Sequence, residues 1–569
     1  VTDPRDPEAT EPQNPTPTGP TDQPQTRREA REAAQVQDAE ATQLLPGITP
    51  MAGPTGSASD ATPAAEPTEL LPGIAAVGPE AQAPPAGATE LISRPVPVAT
   101  SPADRKGVFA AISQHPKAWL IAAAAVVFVL LGTGSVFAGV AAGSSASASP
   151  NKVVGPSPTP KSTTPPPRPV PAALADPTHL RTCSIAAKAT DPNLLTFQGS
   201  VINATTGEVL FDRNGATPSR TASVLKTLTS AAALAVLGPD YQLSTKVVAG
   251  AEPGSIVLVG GGDPTLSAGG GSVYKGAPTM TDLAAKVKSS LVGAEVTKVI
   301  LDSSYWDPAD NWDPSWERSE QTQGYQPEVT ALMVDGSRAN ARAQDSPRSN
   351  DPIGDAGKAF ISAMGLGDVK VETGVAPAGA TPLGEVKSQP VKTLIGQMLP
   401  VSDNTLGEML ARVTSKVAGD NGSSASLAKV IPNALVSYGL KPTGVVIRDG
   451  SGLSNNNAVP ATFVAQLMAK VAGGGQNLNI ILDALPVAGK TGTLASRFTG
   501  ANAVARGAIS AKTGWIKTEY ALAGVIHASD GTLLSFAFYA LGAINSRTQP
   551  ALDTITAGAF SCGNNLSNN

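Results

Sequence analysis

The sequence predicts a multidomain α+β protein carried behind a disordered tail, one membrane-spanning helix and an extended linker. Three observations lead there. Residues 1–104 are rich in Pro, Ala, Thr, Glu and Gln, with little that could form a core. Residues 118–142 carry no charged side chain. From about 176 to 569, strand and helix patterns follow one another over a stretch too long for one small core.

Taken in order, the tail is acidic. Residues 1–104 hold 15 acidic and 5 basic side chains, against a net charge of −5 for the whole chain. Thr42-Gln43-Leu44-Leu45-Pro46-Gly47-Ile48 recurs as Thr68-Glu69-Leu70-Leu71-Pro72-Gly73-Ile74, and a shorter copy starts at Thr89. Read as function, the repeat is a docking or phosphorylation motif for a cytoplasmic partner or kinase. Read as composition, it is low-complexity drift. Residues 105–117 form a basic juxtamembrane segment with Arg105, Lys106 and Lys117.

Ala118 to Ala142 is 25 residues long. As a helix it extends about 37 Å, enough for a hydrocarbon core of about 30 Å. Trp119 marks one edge, and the next basic residue beyond the span is Lys152. The positive-inside rule then places the N-terminus in the cytoplasm and everything after Ala142 outside, in a single-pass topology. Residues 143–175, rich in Pro, Ser and Thr, read as an extended spacer.

The globular region opens with a hairpin pattern, Gly199–Ala204 and Glu208–Phe211 around Thr205-Thr206-Gly207. A helix follows, opening at Ser223 and stopped by Gly238-Pro239. Ser255–Val259 reads as a strand. Short strands and helices alternate over about 265–395, and helices return from Val391. Strand-like runs at 503–512, 520–528 and 533–541 end the chain. Trp306, Trp312 and Trp316 cluster in the middle section, either rimming a binding site or packing.

Few residue types are available for chemistry. The chain has three histidines, His115, His179 and His527, and two cysteines, Cys183 and Cys562. No HExxH and no Cys/His spacing for zinc is present, and neither outer-side histidine has a triad setting. No metal site and no cofactor are expected. No basic patch points to nucleic acid. Cys183 and Cys562 bracket the globular region in an oxidising compartment, so they form either a disulfide joining its ends or two separate thiols.

Three short motifs carry the functional reading. Ser223 and Lys226 are three residues apart on a helix, hence one turn apart on one face. A serine hydroxyl needs a neighbouring base, and a lysine serves when its surroundings leave it neutral. The alternative for the stripe Ser223, Lys226, Thr227 and Ser230 is an ordinary solvent face. Ser402-Asp403-Asn404 precedes the helical pattern 406–417, where a helix cap is the alternative. Lys512-Thr513-Gly514 ends an alternating strand: Lys supplies charge for a carboxylate, Thr a hydrogen bond, and Gly room for a substrate backbone.

Together, in the order SxxK, SDN, KTG, these resemble the set found in penicillin-binding proteins and serine β-lactamases. The region 176–569 is similar to class C low-molecular-mass penicillin-binding proteins, the D-alanyl-D-alanine carboxypeptidase/endopeptidase family. Thr206–Phe211, Gly261–Leu266, Asp449–Ser454, and Gly492-Thr493-Leu494 with Arg497-Phe498 extend the resemblance. The 179 residues between Ser223 and Ser402 fit domains inserted between the first two motifs.

The resemblance implies a penicillin-binding-protein/β-lactamase-like fold, an antiparallel sheet flanked by helices, with an inserted subdomain at about 265–395. It implies Ser223 as acylated nucleophile and Lys226 as its base. Ser402 and Asn404 would assist proton transfer and hold the substrate amide. Lys512 and Thr513 would bind the terminal carboxylate, and the N–H groups of Ser223 and Trp515 would form the oxyanion hole. Trp515 departs from the small hydroxyl residue usual after KTG. A second KTG, Lys490-Thr491-Gly492, sits in a glycine turn and is set aside in favour of Lys512. The stretch 484–491 imitates a phosphate-binding loop, but a proline interrupts it.

The expected protein is a bacterial membrane-anchored serine-type D-Ala-D-Ala carboxypeptidase/endopeptidase acting on peptidoglycan peptides outside the cell. β-Lactams would be covalent inhibitors. One alternative is a catalytically weak wall-peptide-binding anchor or sensor with a docking tail; another is a β-lactamase, which the long insertion disfavours.

Overall fold

The computed structural model describes residues 180–568. The expected tail, basic segment, membrane span and linker lie outside the described residues. Among the described residues, no helix is long and apolar enough to cross a membrane.

The hairpin consists of strands β1 (Thr196–Asn203) and β2 (Val209–Arg213). Asn203 Oδ1 accepts the N–H of Thr205 and of Thr206, an Asx-type turn that brings the chain back on itself. The next helix, α1 (Leu225–Val236), is entered through a 3-10 turn at Ala222–Val224. A single helix opening at Ser223 was the expectation. The tight turn arises because Ala222 holds φ at 42°, which a right-handed helix cannot include. Lys226, Thr227 and Ser230 are fully buried, so their stripe is no solvent face. Thr227 and Ser230 donate to the carbonyls of Val224 and Lys226 inside the helix.

Strands β3 (Ser244–Ala249) and β4 (Ser255–Gly260) follow, then α2 (Met280–Leu291) and β5 (Lys298–Asp302). Next come α3 (Pro352–Met364), β6 (Lys370–Thr373) and β7 (Pro382–Lys387). These five strands make one mixed sheet in the order β6-β5-β4-β3-β7. Its β4–β5 and β5–β6 pairs are parallel, the others antiparallel. Val247, Leu258, Leu283, Val299 and Phe360 pack into a core of their own beside α2 and α3. The inserted unit therefore begins at β3, ahead of the 265 expected from sequence, because β3 pairs with β7 near its far end.

Helices α4 (Val391–Val401), α5 (Asn404–Val417), α6 (Leu427–Leu435) and α7 (Ala461–Gly473) precede strands β8 (Ile509–Ile516), β9 (Glu519–His527) and β10 (Leu533–Leu541). The first of the three expected strand runs starts late, at Ile509. Gly500–Ala505 forms a 3-10 turn, and Gly507, with φ at 79°, separates it from the strand. Helix α8 (Thr548–Cys562) follows.

The main sheet runs β8-β9-β10-β1-β2, antiparallel throughout. Period-two alternation divides its side chains between two cores. Ala521, Ala523, Ala537 and Tyr539 join the helical core with Leu228, Leu410 and Val464. Tyr520, Leu522, Phe536 and Phe538 face the other way, to a core that includes Leu552 and Ile555 of α8. Cys183 and Cys562 form a disulfide with Cα atoms 5.4 Å apart, joining the two ends of the described region. Beside it, Cys183-Ser184 pairs in parallel with Leu566-Ser567.

Of the clustered tryptophans, Trp306 and Trp316 are buried and donate to Val329 O and to Asp449 Oδ2. Trp312 is half-buried against Trp316.

Candidate active site

The three motifs meet at one end of α1. Ser223 sits in the 3-10 turn, and Lys226, in the first turn of α1, is wholly buried. Lys226 Nζ lies 3.0 Å from Ser223 Oγ, 2.8 Å from Asn404 Oδ1 and 2.7 Å from Ser451 O. Two of these three partners, the amide oxygen and the main-chain carbonyl, can only accept. A neutral amine placed here would give both its protons to them, leaving its lone pair toward the Ser223 hydroxyl. The geometry is that of a serine and its base.

Ser402-Asp403-Asn404 bridges α4 and α5. Ser402 takes a left-handed φ of 62° as the C-cap of α4. Asp403 is the N-cap of α5, accepting the Leu406 N–H. Asp403 thus caps the helix while its neighbours Ser402 and Asn404 turn to the other motifs. Asn404 Oδ1 accepts from Lys226, and the buried Asn404 Nδ2 has no hydrogen-bond partner among the described residues. An unpaired buried amide N–H is costly unless something occupies it, and a substrate carbonyl fits that need.

Strand β8 brings the third motif. Lys512, fully buried, donates to Ser402 Oγ at 3.0 Å and to Thr513 O at 2.8 Å. Thr513 Oγ1 lies 2.8 Å from Thr493 Oγ1. A Cβ on Gly514 would stand 2.7 Å from Thr221 O, so only glycine lets this strand lie against the turn that presents Ser223. Sequence reasoning assigned that close approach to substrate; in the structure it belongs to the chain's own loop. Trp515 packs its ring edge-on to Tyr520, its cross-strand neighbour, at 6.4 Å. Lys490 of the second KTG is exposed in a turn.

Two supports have no local sequence motif. The first is a buried ion pair: Arg338 Nη2 lies 2.7 Å from Asp403 Oδ2, with both side chains essentially inaccessible. Gln344 Nε2 and Tyr274 OH donate to the same oxygen, and Arg338 Nη1 donates to Tyr274 OH. Burial alone would raise the Asp403 carboxyl. The guanidinium of Arg338, then that of Arg348, with the Leu406 N–H and Gln344, more than offset it and hold Asp403 well below the usual carboxylate range. The segment between the first two motifs thereby grips the middle residue of the second.

The second support is Glu408 of α5. Its buried carboxylate accepts the N–H groups of Gly450 and Ser451, fixing the loop whose Ser451 carbonyl receives Lys226. Sequence reasoning singled out Asp449–Ser454 but gave it no role. Burial first, and the charge of Asp449 second, push Glu408 up to about 7. Its folded-state affinity for a proton therefore exceeds that of the unfolded chain, whose ordinary value is 4.5. Between those values the folded state binds more protons, so this contribution declines as pH rises through the window. Stability should fall by roughly 2–3 kcal/mol from pH 5 to 7.5 on this account. Urea unfolding of Glu408→Gln should show a flatter pH slope than the parent; equal slopes would contradict the assignment.

Among the described residues, no group of His, Cys, Asp and Glu is placed to hold a metal.

Residues 182–349 and 341–558 match the D-Ala-D-Ala carboxypeptidase 3 (S13) family. The chain is 35% identical over 419 residues to Carboxypeptidase DacB of Mycolicibacterium smegmatis, covering 71% of this chain and 90% of that one. It is 28% identical over 419 residues to a D-alanyl-D-alanine carboxypeptidase of an Actinomadura species, covering 58% and 75%. In fold it resembles crystalline penicillin binding protein 4 of Haemophilus influenzae, with a TM-score of 0.53 and 18% identity over 64% of this chain and 94% of that one. The chain belongs to the D-Ala-D-Ala carboxypeptidase 3 (S13) family and is a serine-type carboxypeptidase, a hydrolase.

Proposed function

We propose that this protein is a membrane-anchored carboxypeptidase that trims D-Ala-D-Ala ends of peptidoglycan stem peptides through an acyl-serine intermediate. The observation that carries the reading is Lys226 Nζ, 3.0 Å from Ser223 Oγ and held there by Asn404 Oδ1 and Ser451 O.

Lys226 takes the Ser223 proton as Oγ attacks the carbonyl of the penultimate D-Ala. The N–H groups of Ser223 and Trp515 stabilise the oxyanion. Asn404 Nδ2 donates to the substrate amide, and Lys512 with Thr513 holds the terminal carboxylate. The peptide C–N bond breaks, and the departing D-Ala amine receives a proton relayed through Ser402. Water then attacks the acyl ester, Ser223 regains its proton, and the shortened peptide leaves. β-Lactams enter the same path and stop at the acyl stage. The uncharged stretch 118–142 is the anchor, with the basic segment 105–117 on the cytoplasmic side and the catalytic region outside.

Purified protein given a stem pentapeptide and a cross-linked muropeptide should release D-Ala from the first, and Ser223→Ala should release none. Turnover of the cross-link alone would replace carboxypeptidase with endopeptidase as the main activity. Release by Ser223→Ala at the parental rate would sink the mechanism.

A further inference from the structure

Glu519 opens β9 with its side chain fully buried. Residues 519, 521 and 523 of the strand share one face. Ala521 and Ala523 lie in the helical core, so the Glu519 carboxyl points into that core as well. Among the described residues, neither of its oxygens has a hydrogen bond of ordinary geometry. Burial pushes the carboxyl well above the ordinary carboxylate value, against the opposing pull of the Arg220 guanidinium and the Ala222 N–H. Tyr539, on the same face of β10, is also fully buried, and burial first and Glu519 second push its hydroxyl up in turn. Glu519 is therefore a neutral acid inside the fold. An apolar side chain would fill the position without leaving polar atoms short of partners.

Beside this acid lies the turn that presents Ser223. Ala222 holds φ at 42°, a conformation that is costly for a residue with a Cβ. Its surroundings have to impose it. Two glycines do part of this. A Cβ on Gly452 would run into the Ala222 carbonyl, and one on Gly514 would stand 3.1 Å from Ala222 Cβ. Gly514 pairs with Ala521, two residues along the same face from Glu519. The Ala222 N–H is the group of the turn that bears on the Glu519 carboxyl. Glu519 also adjoins Tyr520, the register partner of Trp515. It thus borders both segments whose N–H groups, at Ser223 and Trp515, are assigned to the oxyanion hole.

We propose that Glu519 is a positioning residue whose carboxyl holds the Ala222 N–H and so fixes the turn that aims Ser223 Oγ and the Ser223 N–H at the substrate carbonyl. The inference rests on the acyl-serine reading above. Glu519 touches no reacting atom. A carboxylic acid can accept from Ala222 through one oxygen and turn its O–H toward Tyr539. Its effect is on placement: a shift of about 1 Å at a nucleophile is enough to slow a reaction about 100-fold. The fold gives up stability for this, because a buried acid short of hydrogen bonds contributes less to folding than an apolar side chain of similar bulk. Removing the acid should therefore move rate and stability in opposite directions.

The test uses the full chain and penicillin G, with the acylation rate constant at saturation and the dissociation constant of the non-covalent complex measured separately. Glu519→Met should lower the acylation rate constant about 10- to 100-fold. The same variant should leave the dissociation constant essentially as in the parent and raise the melting temperature. Glu519→Gln, which keeps an acceptor for Ala222 and carries no charge, should acylate at close to the parental rate. Three results would each overturn the assignment: parental acylation by Glu519→Met, a loss carried by the dissociation constant alone, or a glutamine variant no faster than the methionine one. A methionine variant that loses rate and melting temperature together would make Glu519 an ordinary structural residue and overturn it too. A parent enzyme that penicillin G does not acylate at Ser223 would overturn the acyl-serine reading and this inference with it. The two failures are thus told apart.

Discussion

Lys226→Met should slow acylation of Ser223 by about 10³- to 10⁴-fold, the span attributable to a positioned proton acceptor. The substitution keeps most of the side chain's packing while deleting the amine that lies 3.0 Å from Ser223 Oγ. Asn404 Oδ1 and Ser451 O lose a donor in the same step. Some stability will go with it, on the order of 1–3 kcal/mol for buried acceptors left unmade. Circular dichroism at the assay temperature separates that cost from the chemistry. Lys226→Arg should be as slow, since a guanidinium does not surrender its proton. Rates of fluorescent-penicillin labelling read the effect directly, and labelling of Lys226→Met within tenfold of the parent would remove lysine as the base.

Arg338→Met carries the second large effect. It strands the Asp403 carboxylate, fully buried, with Tyr274 and Gln344 as neutral donors in place of a charge 2.7 Å away. Breaking a buried pair from one side costs about 3–5 kcal/mol, and Arg348, which also acts on Asp403, holds the loss toward the lower figure. The damage should also reach the chemistry, since Ser402 and Asn404 flank Asp403 on the chain. Asp403→Asn in the same background should recover part of the loss: the amide oxygen can still cap α5 at the Leu406 N–H, and the stranded carboxylate is gone. Urea unfolding of both single variants and the double variant closes the cycle. Additive losses would show that the pair contributes nothing beyond its separate members.

What could be read from sequence follows from how local each feature is. Ser223 and Lys226 lie one turn apart, so helical spacing alone sets their proximity, and the structure puts Nζ within 3.0 Å of Oγ. Lys512 and Ser402 are 110 residues apart, and only the resemblance to a known family joined them in advance. The Arg338–Asp403 pair had no such guide. Arg338 follows Asp335-Gly336-Ser337, three residues with positive φ, and nothing in its neighbourhood announces a buried guanidinium. Glu408 reads locally as one more helical carboxylate, and only tertiary packing reveals the Gly450 and Ser451 N–H groups at its oxygens. The 3-10 entry to α1 depends on one residue, Ala222, of a type that gives no hint of φ at 42°. Cys183 and Cys562 were legible because only two cysteines exist, which leaves a single intramolecular partner for each. The repeats and the apolar span at 118–142 were read from composition, and they lie outside the described residues.

The central claim is that Ser223 is the residue acylated. Incubating the protein with penicillin G, digesting it and mapping the adduct by mass spectrometry tests this most directly. The account predicts one penicilloyl group, on the peptide that carries Ser223, formed at a rate that collapses in Lys226→Met and absent from Ser223→Ala. An adduct on any other serine, or an unchanged adduct in Ser223→Ala, would contradict it.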